Sequence, residues 1–90
     1  MTETLRLQRE RVDWREIDDE IVALDLESST YLSINRTGRL IWSALERGAT
    51  RDELLESLTR TYRVDRKRAA ADLDAFLAGL RERGLLSGEV

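Results

Sequence analysis

Thr30-Tyr31-Leu32-Ser33-Ile34-Asn35-Arg36-Thr37-Gly38 is a short extended run that passes directly into a helix start. Alternation with period two puts Leu32 and Ile34 on one face and Tyr31 and Ser33 on the other, so Leu32 and Ile34 are assigned to the core. Asn35 is a good N-cap, because its side chain can satisfy an amide of the first helical turn. The helix it starts carries Leu40, Ile41, Ala44 and Leu45 at helical spacing and is expected to stop near Gly48.

Upstream of this run the pattern predicts two more strands. Val12, Trp14 and Glu16 share one side of an extended segment, and Asp13, Arg15 and Ile17 share the other. Asp18-Asp19-Glu20 reads as a tight acidic turn, after which Glu20 to Leu26 resumes extended structure with Ile21, Val22, Leu24 and Leu26. Glu27-Ser28-Ser29 makes the second turn. Connections this short imply an antiparallel meander, since parallel pairing needs a long crossover. Its last strand then has a neighbour on one side only and presents unpaired N–H and C=O groups on the other. Residues 1–11 alternate loosely around Leu5 and Leu7, as a fraying first strand or a disordered lead-in would.

Downstream, Thr50-Arg51-Asp52-Glu53 is a capping box, followed by Leu54, Leu55, Leu58 and Tyr62 on one helical face. Asp65 caps a third helix running to about Arg83 and ending at Gly84, with Leu85 and Leu86 placed for a Schellman-type finish. On this helix Ala69, Leu73, Phe76, Leu77 and Leu80 form the core arc. Beside it lies a second stripe of Arg68, Asp72, Ala75 and Gly79. A glycine inside a helix costs about 1 kcal/mol relative to alanine, and a close approach of another backbone would explain it. Trp14 and Trp42 are expected to be half-buried aromatics closing the core.

Composition narrows the function classes. Ninety residues make one domain with a modest core, read as spanning 1–90 with its body at about 12–87. There is no cysteine and no histidine, which removes disulfides, thiol nucleophiles and the commonest zinc and acid/base side chains. The acidic stretch from Glu16 to Glu27 lacks the spaced ligands of a calcium loop. We expect no metal, no cofactor and no catalytic residues. Fifteen Lys plus Arg stand against eighteen Asp plus Glu, a net charge of −3 that argues against a nucleic-acid footprint. The N-terminus lacks a hydrophobic signal core and no long apolar run exists, so a cytoplasmic protein away from membranes is expected.

The extended "LDLESSTYLSIN", the helix start "NRTGRLIW", the capping box after Gly48 and the final "ADLDAFLAGLRERGLL" together resemble the PqqD-like family. These are the recognition elements that bind leader peptides of ribosomally made, modified peptides. The wording of the strand is most similar to the stand-alone leader-binding proteins of lasso-peptide biosynthesis. The resemblance implies an α+β, winged helix-turn-helix-like fold, with a three-stranded antiparallel sheet followed by three main helices. It also implies a non-enzymatic function: the leader adds as a strand on Thr30, Tyr31, Leu32, Ser33 and Ile34, beside a helix wall of Arg68, Asp72, Ala75, Phe76 and Gly79. The implied partners are the precursor's leader, a cysteine-protease-like leader peptidase and the cyclase.

Two other readings stay open on the sequence. A PqqD-like chaperone could serve a radical or other peptide-modifying enzyme. A winged-helix domain could also bind nucleic acid through the basic run Arg60, Arg63, Arg66, Lys67 and Arg68, although the third helix offers few side chains suited to base edges. A solvated helix junction is the commoner meaning of such a run.

Overall fold

The three helices begin where their capping residues dictate. The computed structural model describes residues 4–88. Asn35 accepts a hydrogen bond from the Gly38 amide at 2.9 Å and starts α1, Arg36–Arg47. Thr50 and Glu53 each accept the other's backbone amide, at 3.1 and 2.8 Å, and start α2, Arg51–Tyr62. Asp65 accepts from the Arg68 amide at the head of α3, Arg66–Glu82. The finish of α3 is a Schellman motif: Gly84 takes a φ of 74°, its amide reaches Arg81 O at 3.0 Å, and the Leu85 amide reaches Leu80 O at 2.9 Å. A side chain at Gly84 would be strained there.

The strands form two small antiparallel sheets. With β1 at Thr4–Leu7, β2 at Val12–Ile17, β3 at Glu20–Asp25 and β4 at Thr30–Ile34, one sheet is the meander β2-β3-β4. The other is β5-β1-β6, in which β1 lies between two two-residue strands, β5 at Ala49–Thr50 and β6 at Leu86–Ser87. The segment that read as a fraying strand or lead-in is therefore a central strand over Thr4–Leu7, with Leu5 and Leu7 buried; residues 1–3 lie outside the described residues. A meander ahead of three helices is the expected winged-helix-like α+β arrangement, with the second sheet added to it.

The end of β3 corrects one expectation, since the extended run read as Glu20 to Leu26 stops at Asp25. Ile21, Ala23 and Asp25 point inward, Val22 and Leu24 are half-buried on the other face, and Leu26 is exposed in the turn. The reason is local: the Asp25 carboxylate accepts the Glu27 and Ser28 amides at 3.1 and 3.4 Å, so the chain turns straight after Asp25. Trp42 also differs, being fully buried and edge-on to the half-buried Trp14 at 5.5 Å between ring centres. Around them pack Ile41, Leu45, Leu54, Leu58, Leu73, Leu77 and Leu85 in one continuous core.

Because Leu5 is wholly buried at the centre of the second sheet, Leu5→Ala should cost about 2–5 kcal/mol in urea unfolding. A change below about 0.5 kcal/mol would mean that β1 is not part of the cooperative core.

Candidate functional site

β4 pairs with β3 from Asp25↔Thr30 to Ile21↔Ile34. Among the described residues no strand pairs with its other edge. The strand is held at both ends, by the Asp25 turn before it and the Asn35 cap after it. Its backbone is thus fixed in an extended conformation while one row of amides and carbonyls stays without a ladder partner.

Helix α3 supplies the neighbouring wall. A Cβ built on Gly38 would lie 2.6 Å from Ile34 Cγ2 and 3.0 Å from Phe76 Cε1, so the end of β4, the first turn of α1 and the middle of α3 meet at that glycine. Next to this meeting point is a hollow of about 270 Å³ lined by Asn35, Thr37, Gly38, Ile41, Asp72, Leu73 and Phe76. At the opposite end of β4, Glu27 pairs with Arg11, whose guanidinium packs on Gly84 just beyond α3. Thr30 therefore lies toward the C-terminal end of α3 and Ile34 against its middle at Phe76. β4 thus runs antiparallel to α3.

The expected wall residues fall along this helix in different environments. Phe76 is half-buried, and Arg68, Asp72 and Ala75 are exposed. A Cβ on Gly79 would meet nothing within 4 Å, so the space beside it is open rather than filled by this chain's own backbone. Arg68 Nε and Asp72 Oδ2 stand 4.0 Å apart with both side chains well exposed, the mutual i,i+4 pair that their spacing permits. Ion pairs this exposed are worth little and leave both groups available.

On the strand, Ile34 is buried at 5% exposure, Leu32 is half-buried, and Thr30 and Ser33 are exposed. Tyr31 is 72% exposed and lines a separate hollow of about 370 Å³ with Asp13, Trp14, Arg15, Ile17, Val22 and Leu24. Strand alternation thus puts Tyr31 and Phe76 on opposite sides of the sheet, and they do not share a pocket. Gly38, Thr37, Ile41 and Leu73 join the site from outside the expected set. The signal that marks Gly79, a glycine within a helix, is equally present at Gly38.

Two carboxylates stabilise this framework. Burial pushes the Asp25 carboxyl up, but its hydrogen bonds to Ser28 and Glu27 and the Arg11 charge outweigh burial and hold it below the usual range. Asp74 is lowered chiefly by its hydrogen bonds from Arg51, at 2.8 and 2.9 Å, which fasten α3 to the start of α2. Among the described residues no cluster of three or more His, Cys, Asp or Glu is placed to hold a metal ion. No described helix is long and apolar enough to cross a membrane.

Comparison with known proteins bears on this groove. The family described as "Coenzyme PQQ synthesis protein D (PqqD)" matches residues 20–86. A solved structure described as "TbiB1 in Complex with the TbiA(beta) Leader Peptide" is similar at 35% identity and a TM-score of 0.85, over 94% of this chain and 98% of that one. A second, "Lasso peptide synthetase B1 complexed with the leader peptide", is similar at 30% identity and a TM-score of 0.80, over 92% and 96%. No curated protein sequence matches.

A carboxyl whose folded pKa lies below its ordinary 3.8 stabilises the fold above that value and loses the contribution as pH falls through the folded pKa. Asp25→Asn should therefore be less stable than wild type at pH 7, and the gap should narrow by pH 3. An unchanged gap in urea unfolding at the two pH values would show that the charge on Asp25 does not hold the turn before β4.

Proposed function

The chain belongs to the PqqD family, and from that membership we propose that it binds the leader segment of a ribosomally made precursor peptide as an added strand on β4. The observation that carries this reading is the unpaired edge of β4, whose Ile34 end meets Phe76 of α3 at Gly38, together with Gly79 of the same helix opening onto free space. Two relatives at 30–35% identity, matched along nearly their whole length, were solved with leader peptides bound, which supports the same class of guest here. They also favour a lasso-peptide pathway over a PqqD-like chaperone for a radical enzyme.

The mechanism is β-augmentation, in which main-chain hydrogen bonds give general affinity and side-chain pockets give selectivity. Thr30 to Ile34 offer the ladder, and Arg68, Asp72, Ala75, Phe76 and Gly79 form the helix side of the groove. Net hydrogen bonds of about 0.5–1.5 kcal/mol each must also offset the cost of ordering the guest. An apolar leader side chain in the hollow lined by Gly38, Ile41, Leu73 and Phe76 supplies the remainder. Arg68 would take a leader carboxylate and Asp72 a leader cation or amide. Tyr31 faces away from this hollow and would touch only guest side chains that project from the sheet's outer face.

On this reading the chain performs no chemistry of its own. Holding the leader raises the local concentration of the precursor beside whatever enzyme the complex docks on. For a lasso pathway these enzymes are a leader peptidase of the cysteine-protease type and the cyclase.

Titration with the TbiA(β) leader peptide provides the test. Gly79→Leu should keep or raise the unfolding free energy, by up to about 1 kcal/mol, since it removes a helical glycine and the added side chain meets open space, yet weaken binding at least about tenfold by blocking the groove. Unchanged binding would place the guest elsewhere. Ser33→Pro removes one strand amide; equal loss of folding and binding would assign that amide to the internal ladder instead of the guest.

A further inference from the structure

The basic run at the α2–α3 turn has no role in the fold described so far. Arg60 pairs with Glu56 at 3.7 Å and Arg68 with Asp72 at 4.0 Å. Arg63, Arg66 and Lys67 are exposed, and among the described residues none stands within ion-pair distance of an acid. Asp65, the acid among them, is engaged as the N-cap. Arg66 and Lys67 lie in the first turn of α3, where the Asp65 cap is the one acidic side chain, and Arg63 caps the end of α2 beside them. On a chain of net charge −3, these three cations around the single acid Asp65 leave a local field of the opposite sign.

Their place relative to the groove gives the field a use. The hollow beside Ile34 touches α3 at Asp72, and the helix start at Arg66 lies six residues earlier, about 9 Å further along the axis. The Tyr62 hydroxyl donates to Arg36 O at 3.4 Å, which brings the end of α2 against the start of α1, where β4 runs out. A chain leaving the groove at its Ile34 end therefore passes the α2–α3 turn. The β2–β3 hairpin tip at the same end of the sheet is acidic: Asp19 faces Arg36 at 3.8 Å and Glu16 is paired with Arg39, while Asp18 and Glu20 are exposed without an ion-pair partner among the described residues, so the attraction is confined to the α2–α3 side.

We propose that Arg63, Arg66 and Lys67 form a seat for acidic residues of the precursor that flank the strand-forming segment at the Ile34 end. This inference rests on the groove reading above. The seat makes the two ends of the groove unlike, and so selects the direction in which the guest strand runs. An acidic flank N-terminal to the strand favours pairing antiparallel to β4, and a C-terminal one favours parallel pairing.

The test uses the TbiA(β) leader peptide plain and with four glutamates appended at either its N- or its C-terminus. Each is titrated by fluorescence anisotropy at 50 and 300 mM NaCl into wild type and into the triple variant Arg63→Gln, Arg66→Gln, Lys67→Gln. One extended peptide should bind wild type about fivefold to tenfold tighter than the plain leader at low salt. That gain should vanish at 300 mM and in the triple variant, while the plain leader binds both proteins equally. A gain from neither extension, or one from both that survives in the triple variant, would overturn the seat and leave the groove reading intact. Displacement of the plain leader by an oligothymidine at low salt would also overturn the seat, in favour of a nucleic-acid surface. No binding of the plain leader to either protein would overturn the groove reading and the seat with it.

Discussion

A strand left without a partner on one side must still be held extended, or its amides and carbonyls turn to other hydrogen-bonding company. β4 meets this constraint through three independent fastenings. Its ladder to β3 fixes the register, the buried Asp25 carboxylate folds the turn that leads in, and Asn35 ends the strand by starting α1. The main-chain conformation of residues 30–34 is therefore set before any guest arrives. Pre-organisation of this kind lowers the entropic cost of binding, which matters where each added hydrogen bond is worth only about 1 kcal/mol.

The rest of the fold serves the position of α3 against that strand. Arg51 and Asp74 fasten α3 to α2, the Schellman finish at Gly84 turns the chain into β6, and β6 closes on β1. Arg11 links the turn before β4 to Gly84, so the far end of the groove is tied as well. Close packing at Gly38 sets the near end, where a methyl group would collide with Ile34 and Phe76. Between these two ends Gly79 leaves room. A small domain with a modest core has little stability to spare, and a bound strand would add to it by mass action.

Features that depend on nearest neighbours were legible in the sequence. Asn35, the Thr50/Glu53 box, Asp65 and the Gly84 finish all concern amides within a few residues of the capping side chain, and their chemistry is written locally. The core arc of α3 and the inward turn of Ile34 followed from periodicity. Long-range pairing was not legible in this way. β1 is a strand because Ala49–Thr50 and Leu86–Ser87 come to it from distant parts of the chain, and neither dipeptide carries a strand signal. The pattern continues the strand to Leu26, but the Asp25 side chain captures the amides that would have continued it. Within the candidate site, the stripe on α3 could be read from one helix alone. The hollow at Gly38 could not, because it exists only where three elements meet.

The central claim is that the outward row of β4 backbone groups is free in this chain and becomes paired when the guest binds. Hydrogen exchange of the amides of Thr30 to Ile34, measured with and without saturating TbiA(β) leader peptide, tests it most directly. In an antiparallel ladder successive residues face opposite neighbours, so alternate amides should pass from fast exchange to at least about tenfold protection while those bonded to β3 change little. If the complex forms and every amide of β4 exchanges as it did in the free protein, the edge is not the binding site and the account is wrong.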